Sequence, residues 1–262
     1  MSNRSVKIDH RFGIATHEMT RREYANIETK LANALAKQAE SLEGEKATAK
    51  LKQSKKILRA QENRLTSEKD NEAETAPVTS ISWDQAVFFC NAFNRMAGIP
   101  VTENVYSFKN NSGVNNQYLS RKPNALQFLG YRLPSAEEWE YAARSDASHR
   151  YCFGDDIDLF EAYGWSVNNS HNMRQPVGQL KPNEHGLFDV HGNVSEWCHN
   201  NFEFADLGKA GRQPREIRGQ NSAEETRDIN LFRRESLQPL DFTSRLGFRV
   251  ARTYPQPEAN DE

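Results

Sequence analysis

The fold turns on "GYRLPSAEEWEYAAR", residues 130–144. Pro134 ends a short extended segment, and Ser135 with Glu138 three residues on forms a capping box that opens a helix. Trp139, Tyr141, Ala142 and Ala143 then build its packing faces. The same device occurs twice upstream. Thr20 with Glu23 opens a helix after the short alternating segments of "VKIDHRFGIATHEM", residues 6–19. In "SISWDQAVFFCNAFNRMAGIP", residues 80–100, Ser82 and Gln85 form the box, and Trp83, Ala86, Val87, Phe89, Cys90 and Phe93 make a buried stripe. Gly98 and Pro100 stop that helix. Beyond Arg144 the pattern is loops and short strands, finishing in "RLGFRVAR", residues 245–252, which reads as a final strand.

The chain has 262 residues, enough for one large domain or one domain with an appendage. A net charge of -2 gives no global basic surface, so nucleic acid is not the expected partner. Cys90, Cys152 and Cys198 are an odd set without CxxC spacing, which indicates neither a disulfide framework nor a zinc site. No apolar run matches a signal-peptide core or a membrane span, so a cytoplasmic protein without a membrane partner is expected.

From Glu28 to Ala73 the composition changes. There is no aromatic residue and no proline, one glycine (Gly44), ten Lys or Arg, and eight Asp or Glu. Leu31, Leu35 and Leu42 precede Gly44, while Leu51, Leu58 and Leu65 follow it, at spacings of four or seven that keep each set on one helical face. Two helices broken near "LEGEK", residues 42–46, are expected, either as a solvated excursion or as a coiled-coil-like surface for a partner or for self-association.

Five phrases in order, "EMTRREY", "PVTSISWDQAVFFCNAFN", "GYRLPSAEEWEYAAR", "PVGQLKPNEHGLFDVHGNVSEW" and "RLGFRVAR", resemble the formylglycine-generating enzyme or sulfatase-modifying-factor family. They cover about 10–27 and 76–252. The resemblance implies an α+β, C-type lectin-like fold carrying a charged helical insertion. Its expected parts are first strands and a helix start over 1–27, a helical pair over 28–75, the main domain over 76–255 and a flexible tail over 256–262.

Fold does not settle function in this family, so each of its chemistries has to be matched to residues. The copper-dependent oxidases carry a cysteine pair before the final "GFR". Aligned on Pro239 and "LGFR", those positions fall near Thr226 and Leu231, and no cysteine follows Cys198, so copper is not expected. The iron-dependent sulfoxide synthases draw histidines from added helices, yet the segment 28–73 contains none. His171, His185, His191 and His199 remain as histidines that could meet a metal, with no compact ligand spacing. In "GNVSEW", residues 192–197, Asn193 and Glu196 match the family's calcium ligands and suit a structural Ca²⁺. The alternative is that Asn193 caps the turn after Gly192 and Glu196 pairs with an arginine such as Arg249. Trp197, Leu187 and Phe188 are expected in the core, and Cys152 is the least core-like cysteine.

In this fold the exposed site lies before the last strand, here Arg215 to Arg245, where the usual "RGGSW" has become "RGQNS". Arg227, Phe232, Arg233, Arg234, Phe242 and Arg245 are the candidate ligand-binding residues, with Arg234 alternatively a structural ion pair. Guanidinium groups beside aromatics point to a protein or peptide partner. The expectation is a non-catalytic binding or accessory module. A metal-dependent oxidase or oxygenase acting on a thiol or peptide, and a retroelement-diversified variable protein, are the alternatives.

Overall fold

A computed structural model describes residues 8–67, 73–110, 117–201 and 213–255. After β1 (Arg11–Ile14) come three helices, α1 (Arg21–Glu40), α2 (Gly44–Ser67) and α3 (Trp83–Met96). The hairpin β2 (Tyr106–Asn110) and β3 (Gln117–Arg121) and the short β4 (Tyr131–Arg132) lead to α4 (Ala136–Arg144). Two-residue β5 (Gly164–Trp165), the single turn α5 (Val167–Ser170) and β6 (His191–Gly192) precede β7 (Ser195–Asn201), β8 (Arg215–Arg218) and β9 (Glu235–Leu237). The chain then forms β10 (Leu246–Gly247) and β11 (Ala251–Tyr254).

All three expected capping boxes are formed, at Thr20, Ser82 and Ser135. A fourth, Ser166 with Asn169, opens α5. The expected last strand is two strands: β10 pairs parallel with β7, and β11 pairs antiparallel with β1 on one side and β4 on the other. Between them Phe248, Arg249 and Val250 turn inward, all buried. The 4-stranded sheet runs β10-β7-β8-β9 and the 3-stranded sheet β1-β11-β4.

The larger core packs α3 against both sheets. Trp83 and Trp197 are fully enclosed, and each indole donates across the interface, Trp83 to the carbonyl of Cys198 at 2.9 Å and Trp197 to that of Ile81 at 2.7 Å. Tyr24 of α1 stacks on Phe89 of α3 with ring centroids 4.8 Å apart. A second core cluster gathers Trp139, Ala142, Ala143, Leu187, Cys198 and Leu231 under α4. Leu187 and Trp197 are buried as expected, Phe188 is half-buried, and Tyr141 is exposed rather than packed.

The charged helices are tied into this core. The break falls where expected, at Ser41 to Glu43, and Gly44 takes up the reversal with φ of 61°. The boundary expected at Glu28, however, cuts through the unbroken helix α1. Leu31 and Leu35 are buried against Ala92 of α3, and the hydroxyl of Ser54 in α2 donates to the carbonyl of Ala32 at 2.9 Å. The leucine face of α1 is therefore spent inside the chain, which removes it as a coiled-coil surface. The side chains of Leu58 and Leu65, and the tail 256–262, lie outside the described residues. Among the described residues no helix is long and apolar enough to cross a membrane.

Leu35→Ala should cost about 2–4 kcal/mol in a urea unfolding experiment, the range for a buried leucine. A change within about 0.5 kcal/mol, typical of an exposed site, would contradict this packing.

Candidate functional site

The stretch Glu184 to Asn200 is held by one buried arginine. Arg249 donates from Nε to Glu196 at 2.7 Å and from one terminal nitrogen to its other oxygen at 2.8 Å. Its remaining hydrogens go to the carbonyls of Ala15 at 3.2 Å, Thr16 at 3.3 Å and Phe188 at 3.1 Å. Glu196 also accepts from the indole of Trp139 at 3.0 Å. Asn193, at φ of 57°, pairs its amide with the backbone of Gln175, accepting at 2.9 Å and donating at 3.3 Å. Asn193 and Glu196 therefore do not fit a calcium ion. Both carboxylate oxygens face a guanidinium, and a cation there would have to displace a buried positive charge. The capping and ion-pair alternative describes these two residues.

Beneath this pair lie two more carboxylates, Glu18 and Asp189. Both oxygens of Glu18 and Oδ1 of Asp189 are buried without a hydrogen-bond partner. Burial first, and then the neighbouring Asp189, push the Glu18 carboxyl well above its ordinary value of 4.5. All five hydrogens of Arg249 are committed elsewhere. Burial raises the Asp189 carboxyl too, while its Oδ2 accepts from Gly178 N at 2.8 Å, so this buried pair favours holding a proton.

The four histidines do not assemble. His171 and His185 are exposed, whereas His191 and His199 are enclosed. His191 accepts from Cys152 N at 3.0 Å through Nε2, and the rings of Tyr151 and Phe153 meet it edge-on at 5.5 Å each. Burial lowers its pKa to about 3, so it is neutral. Tyr106 covers Nδ1 of His199 at 3.3 Å. Among the described residues no group of three or more His, Cys, Asp or Glu is arranged to hold a metal. Burial also lifts the Cys152 thiol to about 12, far from a reactive thiolate.

At the positions that would carry copper ligands, Thr226 is buried with its hydroxyl 2.9 Å from that of Ser166, and Asn168 donates to it at 3.2 Å. Leu231 is 1% exposed and packs in the α4 cluster. One site is closed by hydroxyls and the other by hydrocarbon.

The segment 215–245 folds over α4 under the control of a second buried arginine. Arg218 of β8 lies over Trp139, pairs with Glu140, and donates to the carbonyls of Leu231, Phe232 and Arg233 at 3.0, 3.3 and 3.0 Å. Of the candidate contact residues, Arg233 is clamped by Glu224 and Glu235, and Arg234 by Glu216 and Glu137. Arg234 thus follows its ion-pair alternative. Phe232 lies at the surface with the Arg144 guanidinium 5.1 Å from its ring centre. Arg227 is exposed and carries no hydrogen bond or ion pair among the described residues.

Phe242 and Arg245 form the open end. Arg245 donates to Oδ1 of Asn172 at 3.1 Å, and Arg174 donates to the carbonyl of Ser244 at 3.2 Å, so Met173 is fixed beside the loop 240–245. Phe242 is 60%, Leu240 57% and Met173 56% exposed, which makes an apolar edge next to two guanidinium groups. Leu240 and Met173 were not singled out in the sequence. "QPLDF", residues 238–242, placed a leucine in a turn flanked by proline and aspartate, which was the available signal for Leu240.

These features define a C-type lectin-like domain with a solvent-facing loop edge. The sulfatase-modifying factor enzyme 1-like domain (FGE-sulfatase) matches residues 1–254, and the chain belongs to this family. It is 32% identical over 149 residues to the formylglycine-generating enzyme of Streptomyces coelicolor, covering 48% of each chain. It is 27% identical over 144 residues to the inactive C-alpha-formylglycine-generating enzyme 2 of Mus musculus, covering 49% of this chain and 45% of that one. The match thus spans about half the length of these relatives. In structure it is similar to Treponema denticola variable protein 1, with a TM-score of 0.66 and 21% identity over 96% of this chain and 90% of that one.

Two expectations follow for the buried charges. Glu196→Gln should destabilise the fold by about 3–5 kcal/mol, the cost of stranding a buried guanidinium, and by the same amount in calcium as in chelator. For Glu18 the folded pKa is raised, so the folded state keeps a proton that the unfolded chain has lost. Its stabilisation is complete below the ordinary value of 4.5 and declines as pH rises through the folded value. Glu18→Gln should flatten that decline in melting temperature measured across pH.

Proposed function

We propose that this chain is a non-catalytic formylglycine-generating-enzyme-like module that engages a protein or peptide partner. The observation that carries the proposal is the state of the copper positions. Thr226 and Leu231 supply no soft ligand, and both are packed too closely for a side chain elsewhere to replace one. The enclosed, neutral His191 and His199 add no redox-metal site. The inactive mouse relative is consistent with this fold existing without the activity.

Partner binding is assigned to the edge formed by Met173, Leu240, Phe242 and Arg245. Bulky apolar groups beside a half-buried guanidinium are the composition of interface anchors. Arg233 and Arg234 are left out of this edge, because their charges are already neutralised within the chain.

Dioxygen uptake tests the first half. With Cu(I) or Fe(II) and a cysteine-containing peptide, the purified chain should consume oxygen no faster than metal and peptide alone, by oxygen electrode. Metal-dependent turnover that scales with protein concentration would refute the non-catalytic assignment.

A further inference from the structure

A second surface lies on the helical pair, and no residue of the segment 215–245 lines it. Between α1, the start of α2, and α3 runs a groove of about 510 Å³. Its floor is apolar, built from Leu31, Leu35 and Ala92, and its rim carries Phe88, Ile99 and Val101. Val101 is 77% exposed and Phe88 is at the surface as well, so large apolar side chains face solvent at the mouth of an apolar cleft.

The charges that line it have one sign. Lys50 and Arg95 line the groove, and no acidic residue does. Lys46, Lys52, Lys55 and Lys56 continue the basic run along α2, where the described side chains include one acid, Glu45 of the first turn. No side chain of these five lysines, nor that of Arg95, has an ion pair or hydrogen bond among the described residues. Glu103, beside Val101, is committed to the backbone N–H of Leu129 at 2.9 Å. Arg132, Arg218, Arg233, Arg234 and Arg249, by contrast, are each neutralised by an acid of the chain. On α2 that compensation is missing.

We infer that this groove is the docking site for an acidic amphipathic segment of a partner protein. Its apolar side chains would pack against Phe88, Ile99 and Val101 above the buried floor, and its carboxylates would meet Lys50 and Arg95. Phosphate-rich polymers and anionic membranes would use the lysines but not the cleft, and Val101 and Phe88 separate the two cases. The floor is unavailable to a bare polyanion.

The probe is a fluorescein-labelled helical peptide of glutamates with leucines on one face, added to the full chain and followed by anisotropy. It should bind, and the double variant Lys50→Glu, Arg95→Glu and the single variant Val101→Asp should each weaken it by about tenfold or more. Val101 is exposed, so Val101→Asp keeps its melting temperature and reads the groove rather than folding. Phe242→Asp should leave the affinity unchanged, which keeps this groove distinct from the edge at 240–245. The inference is overturned if a peptide of the same composition with its leucines scattered binds equally well, or if Val101→Asp has no effect. It is also overturned if a short DNA duplex or phosphatidylserine vesicles bind more tightly than the peptide.

Discussion

Arg249 is the joint on which the rest of the structure depends. Its guanidinium reaches the end of the first strand segment at Ala15 and Thr16, the loop at Phe188, and Glu196 in β7. Segments more than two hundred residues apart in sequence meet at one planar group whose five hydrogens have fixed directions. The approach depends on Gly247, where a Cβ would stand 2.5 Å from the carbonyl of Val78. Gly192 does the same for the facing loop, since a Cβ there would lie 1.6 Å from the carbonyl of Trp165. A buried ion pair of this kind adds little stability over a hydrocarbon pair of equal shape. It fixes register, because every misplacement leaves a charge unpaired.

That joint also explains which parts of the fold were legible in the sequence. Capping boxes at Thr20, Ser82 and Ser135 involve residues three apart, so their physics is local and they were readable one by one. The core tryptophans were readable because a large apolar side chain on a periodic face has few places to go. Glu18 and Asp189 were not, because their partners lie on other segments and nothing in a single line of sequence joins them; Arg249 was legible as one alternative partner of Glu196, but not as the joint to Ala15, Thr16 and Phe188. "RLGFRVAR" read as one strand for the same reason. Its alternation is that of a strand, yet Phe248 to Val250 leave the sheet to bring Arg249 to Glu196. Leu31 and Leu35 were legible as a helical stripe, but the sequence could not say that the stripe is covered by Ala92 of the same chain.

For the candidate site the sequence carried the chemistry better than the geometry. The absence of cysteine after Cys198 is a fact of composition, and the fold adds only that Thr226 and Leu231 are packed shut. Arginine is different. Charge and aromaticity mark six residues of the segment 215–245, and the fold assigns Arg233 and Arg234 to internal carboxylates while leaving Arg227, Phe242 and part of Arg245 free. A guanidinium counts as a contact residue only after its own acids have been subtracted. In a chain with 34 basic and 36 acidic residues, that subtraction requires three dimensions.

The same subtraction gives the helical pair its meaning. A net charge of -2 suggests a protein without a strong field, yet the pairing of those charges within the chain is uneven. On the domain, Glu137, Glu140, Glu216, Glu224 and Glu235 each hold an arginine. The described side chains of α2 include five lysines and one acid, and those lysines have no counterions among the described residues. Within a screening length of about 8 Å, a partner approaching α2 meets that local charge and not the average. The helices are anchored by Leu31 and Leu35 to the same α3 that fills the core with Trp83 and Phe89, so the basic face is held rigid with respect to the apolar groove beside it. Fixed charges beside a fixed apolar cleft favour a ligand that presents both features at once, and a simple polyanion presents only one.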